Sequence, residues 1–403
     1  MSATSELCDL VQTPPPWISY PETRRLFSEV EKADGKCRFV GGCVRDALLG
    51  NTSDDLDICT DLLPEKILET LEPAGIKVVP TGIKHGTVTA FMGKRKFEIT
   101  TLRTDTKTYG RHADVSYTKN WETDAARRDF TINALSMDLS GELYDFFSGV
   151  EDLAAGRVRF IGEADDRIEE DRLRVLRFFR FFSRYGKGDP DKDALAACEK
   201  AASTLDILSA ERVSKELFLL LEHPAPLKSL NLMKNTGILS ALFNQKITLD
   251  LVTNMLALPV QTMPINRLGA LLQGKIDWAV DFAQDLRLSA KAKERLVSMC
   301  EEIFSSELSK HEQKERLYRH GKQMFEDQVL MSWAGDPARL NYQKYLELAD
   351  RWAIPQFPVL GRDLLDLGMK PGPDLGLQLK KLETQWIGSG FSLNKTQLLA
   401  CFN

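Results

Sequence analysis

Apolar and polar positions follow two different rhythms along this chain. From residue 35 to about 150, short runs alternate or concentrate apolar residues: KCRFVGG, DLDICT, IKVVP, GTVTAFM, KRKFEITTLR and LYDFFSG. Such runs, bounded by turn residues, read as strands. Helical patterns, YPETRRLFSEVEKA and LPEKILETLEPAG, lie before and between them. From EADDRIEEDRLRVLRFFRFFSRYG onward the strand rhythm fades and helical spacing takes over. DILSAERVSKELFLLLEH, PLKSLNLMKNTG and PINRLGALLQG all read as helices ending near His, Gly or Pro. The expected fold class is α+β, a small mixed β-sheet head followed by an all-α neck, body and tail. The expected division is a head over 17–148, a helical neck over 149–222, a helical body over 223–295 and a helical tail over 296–403.

Composition narrows the function classes. The chain has 403 residues, more than one ordinary core holds. Its 53 basic and 58 acidic residues leave a net charge of −5. Any nucleic-acid partner must therefore be met by local basic stripes, because the overall field is not attractive. The seven cysteines are odd in number, scattered and never spaced CxxC. That pattern suits reduced thiols in a cytoplasmic protein, without a zinc ribbon or disulfide framework. The first twenty residues lack a secretory pattern, and no apolar run approaches the length that spans a membrane.

The stretch FVGGCVRDALLGNTSDDLDICTD, residues 39–61, carries the first candidate chemistry. Gly41 and Gly42 follow an apolar run, a place where backbone N–H groups can meet a phosphate, with Arg45 near the same end. Asp55 and Asp57 stand two apart, on one face if the segment is a strand. Glu98, between Phe97 and Ile99 in KRKFEITTLR, adds a third carboxylate. Three acids on neighbouring strands suit Mg²⁺ and in-line phosphoryl transfer.

GGCVRDALLG followed by DLDICT resembles the active-site signature of the polymerase β-like nucleotidyltransferases. More narrowly it resembles the class II tRNA nucleotidyltransferases (CCA-adding enzymes) and the related bacterial poly(A) polymerases. RRDFTINAL (127–135), EEDRLRVLRFFRF (169–181) and ERVSKE (211–216) match further blocks of that family, in its order, and GRDLLDLGMKPGPDLG (361–376) looks like its C-terminal stretch. The resemblance implies template-independent addition of C, C and A, from CTP and ATP, to the 3′ end of tRNA, with Mg²⁺ and release of pyrophosphate. It leaves open a narrower or longer product (A only, CC only or poly(A)) or a non-catalytic RNA-binding relative.

By that resemblance Asp55, Asp57 and Glu98 are the catalytic acids, with Asp55 and Asp57 the metal ligands. Arg127 and Arg128 would hold the nucleotide, and Asp129 its ribose. Asp171 and Arg174, three apart on an expected helix, would read the base. A carboxylate only accepts and a guanidinium only donates, so the pair suits the amino group and ring nitrogen of C and A. Uracil and guanine present the reverse order, and such mispairing discriminates by ~10⁴ or more. Arg177 would reach phosphates, and Arg180 would track RNA. The polar segment after Arg103 reads as a loop that adjusts the pocket, with Arg103 and Asp105 as its hinge. The tail would hold the tRNA acceptor stem and elbow by shape, with Lys370 at a hairpin.

Overall fold

The computed structural model describes residues 14–109, 112–301, 307–338 and 342–400, with the side chains of 105–114 outside that description. The chain divides into two units at Lys246 and Ile247.

In the first unit, helix α1 (Pro21–Lys32) starts at a proline and buries Leu26, Phe27 and Val30 along one side. Strand β1 (Cys37–Val40) runs into α2 (Gly42–Leu48); β2 (Leu56–Thr60) and α3 (Pro64–Leu71) follow. Strands β3 (Lys77–Gly82), β4 (Thr87–Met92) and β5 (Arg95–Thr101) form a meander. With β8 (Ser136–Met137) and β9 (Leu143–Tyr144) they make a seven-stranded sheet in the order β3-β4-β5-β2-β1-β8-β9. The sheet is mixed: β2 and β5 are parallel, and the other pairs are antiparallel. Phe39, Ile58, Val88, Phe97 and Ile99 are fully buried in its core, and Trp17 packs 4.1 Å from Phe39.

The segment after Arg103 is not an irregular loop. Strands β6 (Arg103–Tyr109) and β7 (His112–Tyr117) pair antiparallel in a ribbon of their own, outside the main sheet. Threonines and tyrosines favour extended backbone, but their polar character hides the period that marks a half-buried strand. The side chain of Asp105, the expected hinge partner of Arg103, lies outside the described residues. Helix α4 (Trp121–Ala126) follows, capped by Asn120 accepting from the Glu122 and Thr123 N–H groups.

Helices α5 (Gly149–Ala155), α6 (Ala164–Glu170), α7 (Leu173–Tyr185), α8 (Lys192–Ala201), α9 (Ala210–Glu222), α10 (Leu227–Asn235) and α11 (Ile238–Phe243) complete the unit. Helix α7 presents Phe178, Phe179, Phe181 and Phe182 to the interior, where Phe130 lies 5.3 Å from Phe181 and 4.8 Å from Phe160. Each such burial contributes roughly 1.5–3 kcal/mol, enough to fix the helix against the turn carrying residues 127–135. The arginines of α7 are thereby aimed the other way.

The described elements of the second unit are helices: α12 (Asp250–Ala257), α13 (Pro264–Leu271), α14 (Ile276–Asp285), α15 (Ala290–Cys300), α16 (Lys310–Gly335, kinked at Gly321, whose φ is +75°), α17 (Tyr342–Arg351), α18 (Gly361–Asp366), α19 (Pro373–Gly388) and α20 (Lys395–Ala400). Buried Asp327 accepts from Arg295 at 2.8 and 2.9 Å and from Asn266 at 2.7 Å. Val359, Leu364, Leu382, Trp386 and Leu398 form a second core with Tyr318 and Phe391. Lys370 is exposed in the turn between α18 and α19, so the expected hairpin is a helix–turn–helix. Among the described residues, no helix is long and apolar enough to cross a membrane.

Candidate active site

A cavity of about 630 Å³ in the first unit brings together Gly41, Gly42, Arg45, Asp55, Asp57, Arg128, Asp129, Asn133, Asp171, Arg174, Arg177, Arg180, Phe181 and Lys215. Most of the residues singled out from sequence are among them. Glu98, opposite Asp57 in the sheet, does not line it, and neither do Arg127, Arg103 and Lys370.

At the acidic end, Gly41 turns the chain from β1 into α2 with φ of +68°. The Nη1 atom of Arg128 stands 3.2 Å from where a Cβ would sit, so the position suits glycine for both conformation and space. Asp57 pairs directly with Glu98 across the parallel β2–β5 ladder, while Phe97 and Ile99 point into the core. Asp55 stands one residue before β2 rather than inside it, because the β2–β5 ladder begins at Leu56. The shared strand face expected for Asp55 and Asp57 therefore does not form: Asp57 lies in β2 opposite Glu98, and Asp55 joins them from the preceding loop.

Lys96 Nζ lies 3.1 Å from Asp55 and 3.5 Å from Glu98, a single positive charge between two of the three acids. Burial, then the charges of Asp55 and Glu98, push the Asp57 carboxyl up to about 6, against the opposing pull of Arg128 and Lys96. The three acids do not close into a ready three-ligand cage, and no other such group occurs among the described residues. Asp55 and Asp57 do fit a hard divalent ion of the kind that takes one or two carboxylates and completes its shell from water and phosphate. Their mutual repulsion is what such an ion would relieve.

The opposite wall is built from arginines already paired. Asp129 is buried; its Oδ1 accepts from the Phe130 N–H and from Asn133, both at 2.9 Å, and its Oδ2 from Arg177 at 2.6–2.7 Å. Burial disfavours its charge, but Arg177 and these hydrogen bonds outweigh that and hold it below the usual carboxylate range. Asn133 also accepts from Arg45, which pairs with Asp46 at 3.0 Å. Buried Glu216 of α9 binds Arg180 at 2.5 Å and stands 3.6 Å from Arg177.

Asp171 and Arg174 do not share one helix. The chain breaks between α6 and α7 at Asp171, whose φ of −152° and ψ of 104° are extended. Asp171 is instead held by Arg212 of α9, at 3.1 Å to Oδ1 and 2.6 Å to Oδ2, and caps the Leu173 N–H. Arg174 binds Glu170 at 2.5 Å and the Arg167 carbonyl at 2.8 Å. Both still line the cavity. The break is set by a tertiary partner some forty residues away, which helical spacing does not reveal.

Three residues important here were missed from sequence: Arg212, Glu216 and Asp124. Buried Asp124 of α4 accepts from Arg127 at 2.9 Å, from Arg128 at 3.3 Å and from the Arg103 N–H at 3.1 Å. It joins the start of the β6–β7 ribbon to the arginine lining the cavity, and draws Arg127 away from it. Arg103 itself donates to the His85 carbonyl. The block ERVSKE signalled the α9 pair, and the spacing of Asp124 to Arg127 and Arg128, three and four residues on, was a local signal for its pairing.

A mixed-sheet head whose strands bear clustered acids, facing a helical wall of ordered arginines, is the architecture of a nucleotidyltransferase. Residues 37–159 match the Poly A polymerase head domain, and residues 189–246 match the probable RNA and SrmB-binding site of polymerase A. The chain is 34% identical to the CCA tRNA nucleotidyltransferase 1, mitochondrial, of Danio rerio, over 92% of this chain and 88% of that one. It is 31% identical to the CCA-adding enzyme of Lactobacillus delbrueckii, over 90% and 92%. A Bacillus stearothermophilus CCA-adding enzyme solved in complex with CTP superposes with a TM-score of 0.74 and 25% identity, over 92% of this chain and 94% of that one. The Thermotoga maritima CCA-adding enzyme complexed with tRNA shares the fold, with a TM-score of 0.64 at 19% identity over 98% of both chains. This chain belongs to the CCA tRNA nucleotidyltransferase family, the CCA-adding enzymes.

Proposed function

We propose that the protein adds C, C and A to the 3′ end of tRNA, using CTP and ATP with Mg²⁺ and no nucleic-acid template. The observation that carries this reading is the single cavity holding Asp55 and Asp57 at one end and Asp171 and Arg174 at the other. The RNA 3′-hydroxyl forms a bond to the α-phosphorus, the bond to the leaving pyrophosphate breaks, and no covalent enzyme intermediate is needed. Asp55 and Asp57, beside Glu98, would hold Mg²⁺, which would supply charge stabilisation at the α-phosphate and the leaving pyrophosphate. The turn at Gly41 and Gly42, with Arg45 and Arg128 behind it, receives the triphosphate. Asp129 positions the ribose, and Arg177, bound to it, is directed toward phosphate.

Base choice rests on hydrogen-bond capacity left over after the internal pairs are made. Asp171 Oδ2 accepts one bond, from Arg212, and keeps room for the amino hydrogen of C or A. Arg174 commits Nη1 to Glu170 and Arg167 and one Nη2 hydrogen to the Arg127 carbonyl at 3.4 Å, and retains Nε and the other Nη2 hydrogen for the adjacent ring nitrogen. The β6–β7 ribbon, with Arg103 and Asp105 at its base, adjusts the pocket between C and A addition. Arg180 and Lys370 are the candidate RNA contacts, within a head, neck, body and tail at 17–148, 149–222, 223–295 and 296–403. The cytoplasm is the proposed location, although vertebrate relatives carry mitochondrial names.

A second reading, a homopolymeric poly(A) product, draws on the description of the matched head domain. The deciding measurement is product length on tRNA ending at its discriminator base. The expected result is C-C with CTP alone, C-C-A with both nucleotides, and no extension with UTP or GTP. A long A tract, or indifference to the base, would overturn the proposal.

A further inference from the structure

Six cations line the cavity, and five of them are arginines matched to a carboxylate. Arg45 faces Asp46 at 3.0 Å, Arg128 faces Asp124 at 3.3 Å and Arg174 faces Glu170 at 2.5 Å. Arg177 faces Asp129 at 2.6 Å and Arg180 faces Glu216 at 2.5 Å. The sixth is Lys215 of α9, exposed at the cavity wall, with no carboxylate of the described residues within ion-pair distance. It sits between two residues whose charges are used internally: Arg212, which holds Asp171, and Glu216, which holds Arg180.

The division of labour by residue type has a physical basis. A guanidinium fork suits a fixed planar carboxylate, whereas an ammonium is a compact, rotatable point charge that accepts a mobile anion from many directions. A lysine whose charge neither orders the wall nor is cancelled by it leaves an electropositive point inside a concave site. Resting on the proposed reaction, whose substrates are both phosphate-bearing, we infer that Lys215 binds a phosphate group of a substrate. The two sources, the nucleotide triphosphate and the tRNA backbone near its 3′ end, are separable by experiment.

The test compares wild type, Lys215→Met and Lys215→Arg in single-C addition to tRNA, varying CTP and tRNA separately and then salt. In Lys215→Met the KM for one substrate should rise about tenfold, the size expected for one charge-assisted bond. Lys215→Arg should recover most of that loss, which a merely structural role for the stem would not require. A rise confined to CTP assigns the triphosphate. A rise confined to tRNA, with the log–log salt slope shallower by about 1, assigns the RNA backbone. Unchanged KM values for both substrates in Lys215→Met would overturn the inference while leaving the reaction intact. Wild-type protein that fails to extend tRNA would overturn the reaction, and this inference with it.

Discussion

The two ends of the cavity solve opposite electrostatic problems. At the sheet end, Asp55, Asp57 and Glu98 gather more negative charge than Lys96 answers, and burial, then the neighbouring charges, pushes Asp57 up to about 6. At the helical end every arginine is matched to an acid, and Asp129 is held below its usual range by its partners. The first wall carries surplus negative charge, which suits the proposed cation. The second is complete before any substrate arrives, so its geometry costs no reorganisation on binding. A site can thus be unbalanced where charge must be recruited and balanced where shape must be read.

The largest effect should come from emptying the unbalanced wall. Asp55→Ala or Asp57→Ala should lower nucleotide addition by ~10³-fold or more while the fold persists, because neither side chain builds the core. Single-turnover assays with Mg²⁺, alongside circular dichroism, check both halves of that statement. Activity near wild type in either variant would remove the metal-holding role.

Breaking the balanced wall should alter selection more than chemistry. Asp171→Ala and Arg174→Ala should each reduce the preference for CTP over UTP by about 10–100-fold in kcat/KM. All four nucleoside triphosphates are measured on each variant. Were the pair only a surface ion-pair arrangement, stability would change by ~0.5 kcal/mol and the selectivity ratios would stay put.

The smallest of the three effects sharpens the comparison through pH. Asp129 has a folded pKa below its unfolded value of roughly 3.9. Its contribution to stability is therefore complete above that unfolded value and disappears as pH falls through the folded one. Asp129→Asn should lower stability at pH 7 by ~1–3 kcal/mol and show a shallower further loss below about pH 4. Urea midpoints at both pH values test the sign, and the same variant should use dCTP relative to CTP more readily. A parallel acid profile in the two proteins would contradict the assigned coupling to Arg177.

What could be read beforehand follows from range. The acids, the glycine turn and the main strands were legible because each depends on neighbours two to four positions away. The neighbouring strands expected to carry Asp57 and Glu98 are β2 and β5, and the register that sets the two acids opposite each other came only with the fold. The helix break at Asp171 was not legible, since EEDRLR is helical in composition on both sides and Arg212 supplies the reason from another helix. The β6–β7 ribbon was missed because polar residues on both faces erase the alternation. Asp124 carried a local clue that was passed over, Arg127 and Arg128 three and four positions on, whereas its bond to the Arg103 N–H comes only from the folded head.

The described cysteines lend themselves to a practical use. Cys37, Cys43 and Cys59 lie in or beside the strands under the acids, Cys198 lies in α8 and Cys300 lies in the second unit. All five are buried, and burial pushes their thiols upward, to about 12 for Cys43, Cys59 and Cys300. A thiolate is the species that alkylating reagents attack, so at neutral pH these positions stay silent until their surroundings open. Timed alkylation followed by peptide mapping would therefore act as a set of built-in clocks. It would report in what order the sheet, helix α8 and the second unit come apart, with no cysteine introduced by mutation.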